Sequence, residues 1–125
     1  MSTRAQIRFA TRESGQSFSE KPNAIHAQFY RHHDGYPEGL GVDIANSFIN
    51  QCHPNGRSWE IEDLDTKHGD LDYIYYIRQA PGKETFISIF EVNFAWCDEC
   101  DIPLEKAEQC IFVGSPRDLI DRYTN

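Results

Sequence analysis

Between residues 30 and 41 the chain sets Tyr30, Arg31, His32, His33, Asp34 and Tyr36 beside three glycines, Gly35, Gly39 and Gly41. A guanidinium, two imidazoles and a carboxylate this close together can donate, accept and titrate near neutral pH. The stretch leads into a helical pattern that starts at Pro37, where unpaired backbone N–H groups and the positive end of the helix dipole attract anions. Arg31 would grip a phosphate or carboxylate with two parallel hydrogen bonds, and Gly39 and Gly41 would let it approach the backbone. Tyr30 and Tyr36 would then stack on a base or ring. The expectation is a binding site for a small anion, a nucleotide among the candidates, built from Tyr30, Arg31, His32, Asp34, Gly35, Tyr36 and Gly39.

The same residues also suit a plain bend. Asp34-Gly35 tolerates a left-handed backbone, Asp34 can accept from Arg31 or from nearby amides, and Asp34 and Glu38 would repel an anion. An imidazole held by a carboxylate, His32 with Asp34, could serve general acid–base chemistry. The enzyme reading ranks below a binding role, because the loop carries no evident nucleophile. There is also no Walker loop, dinucleotide glycine fingerprint or paired-histidine metalloprotease motif.

The opening Met1-Ser2-Thr3-Arg4-Ala5, together with Tyr30-Arg31-His32-His33-Asp34-Gly35-Tyr36-Pro37-Glu38-Gly39, resembles a group of small, largely uncharacterised phage and prophage proteins. Their shared pattern is Tyr-Arg-His, one variable residue, then Asp-Gly-Tyr-Pro-Glu-Gly. His33 stands at the variable position, so the resemblance points to Arg31, His32, Asp34, Gly35, Tyr36 and Pro37. It covers roughly the first third of the chain. It identifies a family without supplying an activity, and it implies location in the host-cell cytoplasm and a mobile-element origin, where small proteins often counter host defence by binding a protein or by sequestering a signalling nucleotide.

The cysteines lie outside that pattern. Cys97 and Cys100 have the two-residue gap at which both sulfurs reach one zinc ion, and Cys110 with Cys52 or His53 could complete a tetrahedral set. A second tight pair is missing, so buried or incidental thiols compete with structural zinc, and no other cofactor is expected. Sequence places none of the four thiols beside a base such as His32. The run Glu60-Ile61-Glu62-Asp63-Leu64-Asp65, with Asp70 and Asp72 downstream, either imitates a phosphate ladder or forms a solvated strand edge that resists aggregation. From the first option comes the second function class, an acidic protein-interaction inhibitor of anti-CRISPR or nucleic-acid-mimic type. Tyr73, Tyr75 and Tyr76 read as sheet-face packing.

A net charge of -8 argues against direct nucleic-acid or anionic-membrane binding, since both need a basic face. The first eight residues lack the apolar core of an export signal and no apolar run approaches membrane-spanning length, so the expected location is cytoplasmic. With 125 residues, 39% of them hydrophobic and 13% aromatic, one domain spanning 1–125 with a single core is expected. Its oligomeric state is left open by the sequence.

Several elements must position these groups. Ala5, Ile7 and Phe9 alternate with Arg4, Gln6 and Arg8, and Ile25, Ala27 and Phe29 alternate with His26, Gln28 and Tyr30. Both read as half-buried strands, paired antiparallel through a polar loop over 11–23. Leu40, Val42, Ala45, Phe48 and Ile49 give a helix over 38–51, with Pro37 at its start. A short strand is read over 59–64. A hairpin follows, with strands over 71–78 and 85–94 around the turn at residues 80–83. Residues 98–109 read as loop or short helix ahead of Ile111-Phe112-Val113. Ser115, Pro116 and Asp118 signal a short helix to about Tyr123. The expected fold is α+β: a mainly antiparallel sheet of about four to six strands, one main helix on a face and a short C-terminal helix.

Overall fold

The computed structural model describes residues 3–11, 20–22, 24–49, 59–66, 71–80, 82, 84–92 and 108–124. The fold is α+β, with a six-stranded mixed sheet and two helical elements among the described residues. The strands are β1 (Ala5–Thr11), β2 (Ile25–Arg31), β3 (Trp59–Glu62), β4 (Tyr73–Gln79), β5 (Phe86–Val92) and β6 (Glu108–Gly114), in the spatial order β3-β2-β1-β4-β5-β6. β1–β2, β2–β3, β4–β5 and β5–β6 pair antiparallel, and β1–β4 pair parallel. The parallel pair arises because β2, the main helix and β3 lie between β1 and β4 in sequence, a crossover long enough to bring the chain back in the same direction.

The main helix opens with a π-helical turn, Pro37–Gly41, in which the Val42 amide bonds back to the Pro37 carbonyl, and continues as α1 (Val42–Ile49). A second helix, α2 (Pro116–Tyr123), starts with a capping box. The Ser115 hydroxyl accepts from the Asp118 amide at 3.2 Å and the Asp118 carboxylate accepts from the Ser115 amide at 3.1 Å. Both helices lie on one face of the sheet. There Leu40, Ile44, Ala45 and Leu119 meet Ala5 and Ile7 of β1, Tyr75 and Ile77 of β4, and Ile87 and Ile89 of β5. Each fully buried isoleucine in that layer contributes about 1.5–3 kcal/mol.

The opposite face corrects the half-buried reading of β1 and β2. Gln6 and Gln28, on the polar side of the alternation, are both 0% exposed. Their burial is tolerated because the amide groups are bonded. Gln6 Nε2 donates to Glu62 Oε1 at 3.1 Å and to the Thr66 carbonyl at 3.0 Å, and Gln28 Nε2 donates to Glu62 Oε1 at 3.0 Å and to the Thr66 carbonyl at 3.0 Å. Beside them Arg8 donates to Tyr76 Oη at 2.7 Å and to Gln6 Oε1 at 2.8 Å. Arg78, also buried, donates to the Glu20 carbonyl. A second apolar cluster of Tyr30, Leu71, Ile74, Tyr76, Phe90 and Val92 completes this face. No described helix is long and apolar enough to cross a membrane.

Candidate functional site

The bend after β2 is set by backbone sterics and by one buried phenol. Asp34 carries the left-handed conformation, with φ 56°. Gly35 is required for a different reason: a Cβ there would stand 2.8 Å from Ala5 Cβ and 3.1 Å from the Thr3 carbonyl oxygen. The Gly35 amide donates to that same Thr3 carbonyl at 3.0 Å, and Tyr75 Oη donates to the Gly35 carbonyl at 2.6 Å. Burial drives the Tyr75 phenol pKa well above its ordinary range.

The expected site residues do not converge. Arg31 and His32 are consecutive at the end of β2, so their side chains leave on opposite faces of the sheet. Arg31 pairs in register with Ala5 and Trp59 on the helix-covered face. Its Nε donates to the His33 carbonyl at 2.8 Å, and its Nη1 lies 4.0 Å from Asp43 Oδ2. On the other side His32 Nε2 meets Glu60 Oε1 at 3.2 Å, and its ring stands edge-on to Tyr30 at 4.5 Å. Tyr30 itself is buried.

The helix entrance is likewise occupied by its own chain. The Gly39 amide donates to the Tyr36 carbonyl at 3.0 Å, and the Leu40 amide is shared between Tyr36 and Asp34 carbonyls at 3.0 and 3.2 Å. The glycines expected to admit a ligand pack instead. A Cβ at Gly39 would meet the Tyr36 ring at 3.1 Å, and one at Gly41 would touch Leu119 and Tyr75 at 3.4 Å. Tyr36 does line an opening, a concavity of about 230 Å³ shared with Thr3, Asp72, Tyr73, Glu91 and Val92. Its walls are negative: burial, then the carboxylates of Glu91, Glu38 and Asp72, raise the Tyr73 phenol pKa.

Of the cysteines, Cys52, Cys97 and Cys100 lie outside the described residues, as does His53. Cys110 is half-buried on β6, where burial raises its thiol pKa and its Sγ donates to the Phe112 carbonyl at 3.6 Å. Among the described residues no group of three or more His, Cys, Asp or Glu side chains is placed to hold a metal ion.

The outermost strand β3 carries a feature that the charge pattern concealed. Ile61 is 79% exposed and Leu64 46% exposed. Glu60, Asp63 and Asp65 around them are exposed as well. Glu60, Ile61, Glu62, Asp63 and Thr66 line a shallow concavity of about 520 Å³. The signal was present as an isoleucine and a leucine interleaved with acids, but an alternating pattern does not say which face lacks a cover. Comparison of the chain with protein families, with curated proteins and with solved structures gave no match.

Proposed function

We propose that this chain is a non-enzymatic binding protein that engages a basic protein partner through the acidic edge formed by β3 and the turn after it. On the phage resemblance, that partner is a host defence protein with a nucleic-acid-binding face. The observation that carries the reading is Ile61, largely bare on an edge strand and flanked by exposed carboxylates. Bare apolar surface rimmed by carboxylates offers a partner both a contact to bury and a field that attracts basic groups.

The small-anion reading of the 30–41 loop has less support. Arg31 serves the His33 carbonyl and faces Asp43, the Gly39 and Leu40 amides serve the bend, and the nearby opening is lined by Asp72 and Glu91.

Binding of an oligolysine peptide, followed calorimetrically at increasing salt, tests the reading. Binding should weaken steeply with ionic strength. It should be lost in Glu60→Gln/Asp63→Asn/Asp65→Asn yet persist in Arg31→Ala and in Glu38→Gln/Glu91→Gln/Asp121→Asn, which removes the same charge elsewhere. Equal loss in both triple variants would reduce the effect to net charge and refute a defined edge.

A further inference from the structure

We propose that the partner joins the sheet itself, as an extended segment of alternating basic and apolar residues laid along the outer edge of β3. The inference rests on the acidic-edge reading above and specifies how that edge is used.

β3 is the last strand in the sheet order and bonds to β2 on one side, so its other row of backbone groups faces away from the sheet. Such a row is a template for one more strand. Register fixes what each side of that strand would meet. Glu60 stands opposite Tyr30 and Glu62 opposite Gln28, which puts both carboxylates on the polar face. Trp59 stands opposite Arg31 and Ile61 opposite Phe29, which puts both on the helix-covered face. Ile61 is nonetheless 79% exposed, so the helices do not extend over it.

An added strand alternates in the same way. Side chains level with Glu60 and Glu62 fall beside carboxylates and suit Lys or Arg, whereas those level with Ile61 fall on the bare isoleucine and suit Val, Ile or Leu. The Glu62 carboxylate is already oriented, because its Oε1 accepts from both Gln6 and Gln28. Exposed Asp63 and Asp65 continue the negative charge past the end of the strand, and the concavity along Glu60 to Thr66 leaves room for the guest.

A second copy of this chain is the obvious competitor, and charge disfavours it. Antiparallel pairing of β3 with itself would set the glutamates of the two strands on one face, where like charges directly opposite are destabilising. The arrangement therefore selects a foreign basic segment over self-association.

The test uses the full chain and four peptides. Lys-Val-Lys-Val-Lys-Val is compared with the block isomer Lys-Lys-Lys-Val-Val-Val and with the alternating peptide N-methylated at every second amide, prepared in both phases. The alternating peptide should bind about tenfold more tightly than the block isomer, as two or three matched cross-strand pairs would give. Methylation in one phase should abolish binding and in the other leave it intact, since one set of amides faces β3. Equal affinity of the two isomers, or binding that survives methylation in both phases, would overturn strand addition while leaving the acidic-edge reading in place. Failure of every peptide to bind would overturn both. A dimer of the free protein that Ile61→Lys dissolves would assign the edge to a second copy and overturn the proposal.

Discussion

Tyr75 and Gly35, forty residues apart in sequence, are joined by a 2.6 Å hydrogen bond from the phenol to the backbone carbonyl. The bond links the parallel centre of the sheet to the bend that delivers the main helix, and it is buried. Tyr75→Phe should therefore leave a buried carbonyl without its donor and cost about 1–3 kcal/mol. Urea unfolding of the two proteins reads this directly, and unchanged midpoints would show that the bond contributes nothing net.

Gly35→Ala tests the other half of that joint. Its new Cβ would clash with Ala5 Cβ at 2.8 Å, and destabilisation of about 1–3 kcal/mol is expected. Because the closest clash is between two methyl groups, Gly35→Ala/Ala5→Gly should be more stable than the sum of the single losses predicts. Strict additivity would place the strain elsewhere in the bend.

Much of this architecture can be read from the chain, and the parts that cannot share one cause. The alternation in β1 and β2, the aromatic β4–β5 hairpin and the Ser115 cap are local signals, so their elements form where expected. Each face's cover is a long-range property. Nothing near Gln6 or Gln28 announces that Glu62 and the carbonyl of Thr66 will close over them. The same limit separates Arg31 from His32. Adjacent in sequence, they suggested one ligand, but a strand sends neighbours to opposite sides, and the chain remains extended through Arg31.

Arg31→Ala is accordingly a stability variant. Loss of the Nε bond to the His33 carbonyl should cost about 0.5–1.5 kcal/mol, with no change in binding to a panel of nucleoside phosphates. A selective loss of nucleotide affinity in this variant would restore the anion site.

Alkaline pH should expose the buried tyrosines. Burial raises the phenol pKa of Tyr75 well above the unfolded value of 10.0, and those of Tyr73 and Tyr76 above it to a lesser degree. The folded state thus favours the protonated phenol more than the unfolded state does. The resulting stability is fully present below pH 10.0 and is lost as pH rises through the raised folded values. Unfolding midpoints measured on both sides of that pH should be flat and then fall, and Tyr75→Phe should soften the fall.

Ile61 offers the contrast between core and edge. Ile61→Thr, at a side chain 79% exposed, should leave stability within about 0.5 kcal/mol. Ile7→Ala, at a side chain 0% exposed in the helix-covered layer, should cost about 2–5 kcal/mol. Comparable losses at the two positions would mean that β3 is covered.

The parallel pairing of β1 with β4 bears on how the nascent chain matures. Arg8 and its partner Tyr76 are 68 residues apart. While the protein is still emerging from the ribosome, the first hairpin has one flank paired and the other bare until β4 arrives. Closing so distant a contact is slow relative to local hairpin formation. The first strand therefore gains its second neighbour only after the main helix and β3 have been made, so the middle of the sheet is among the last parts of it to close.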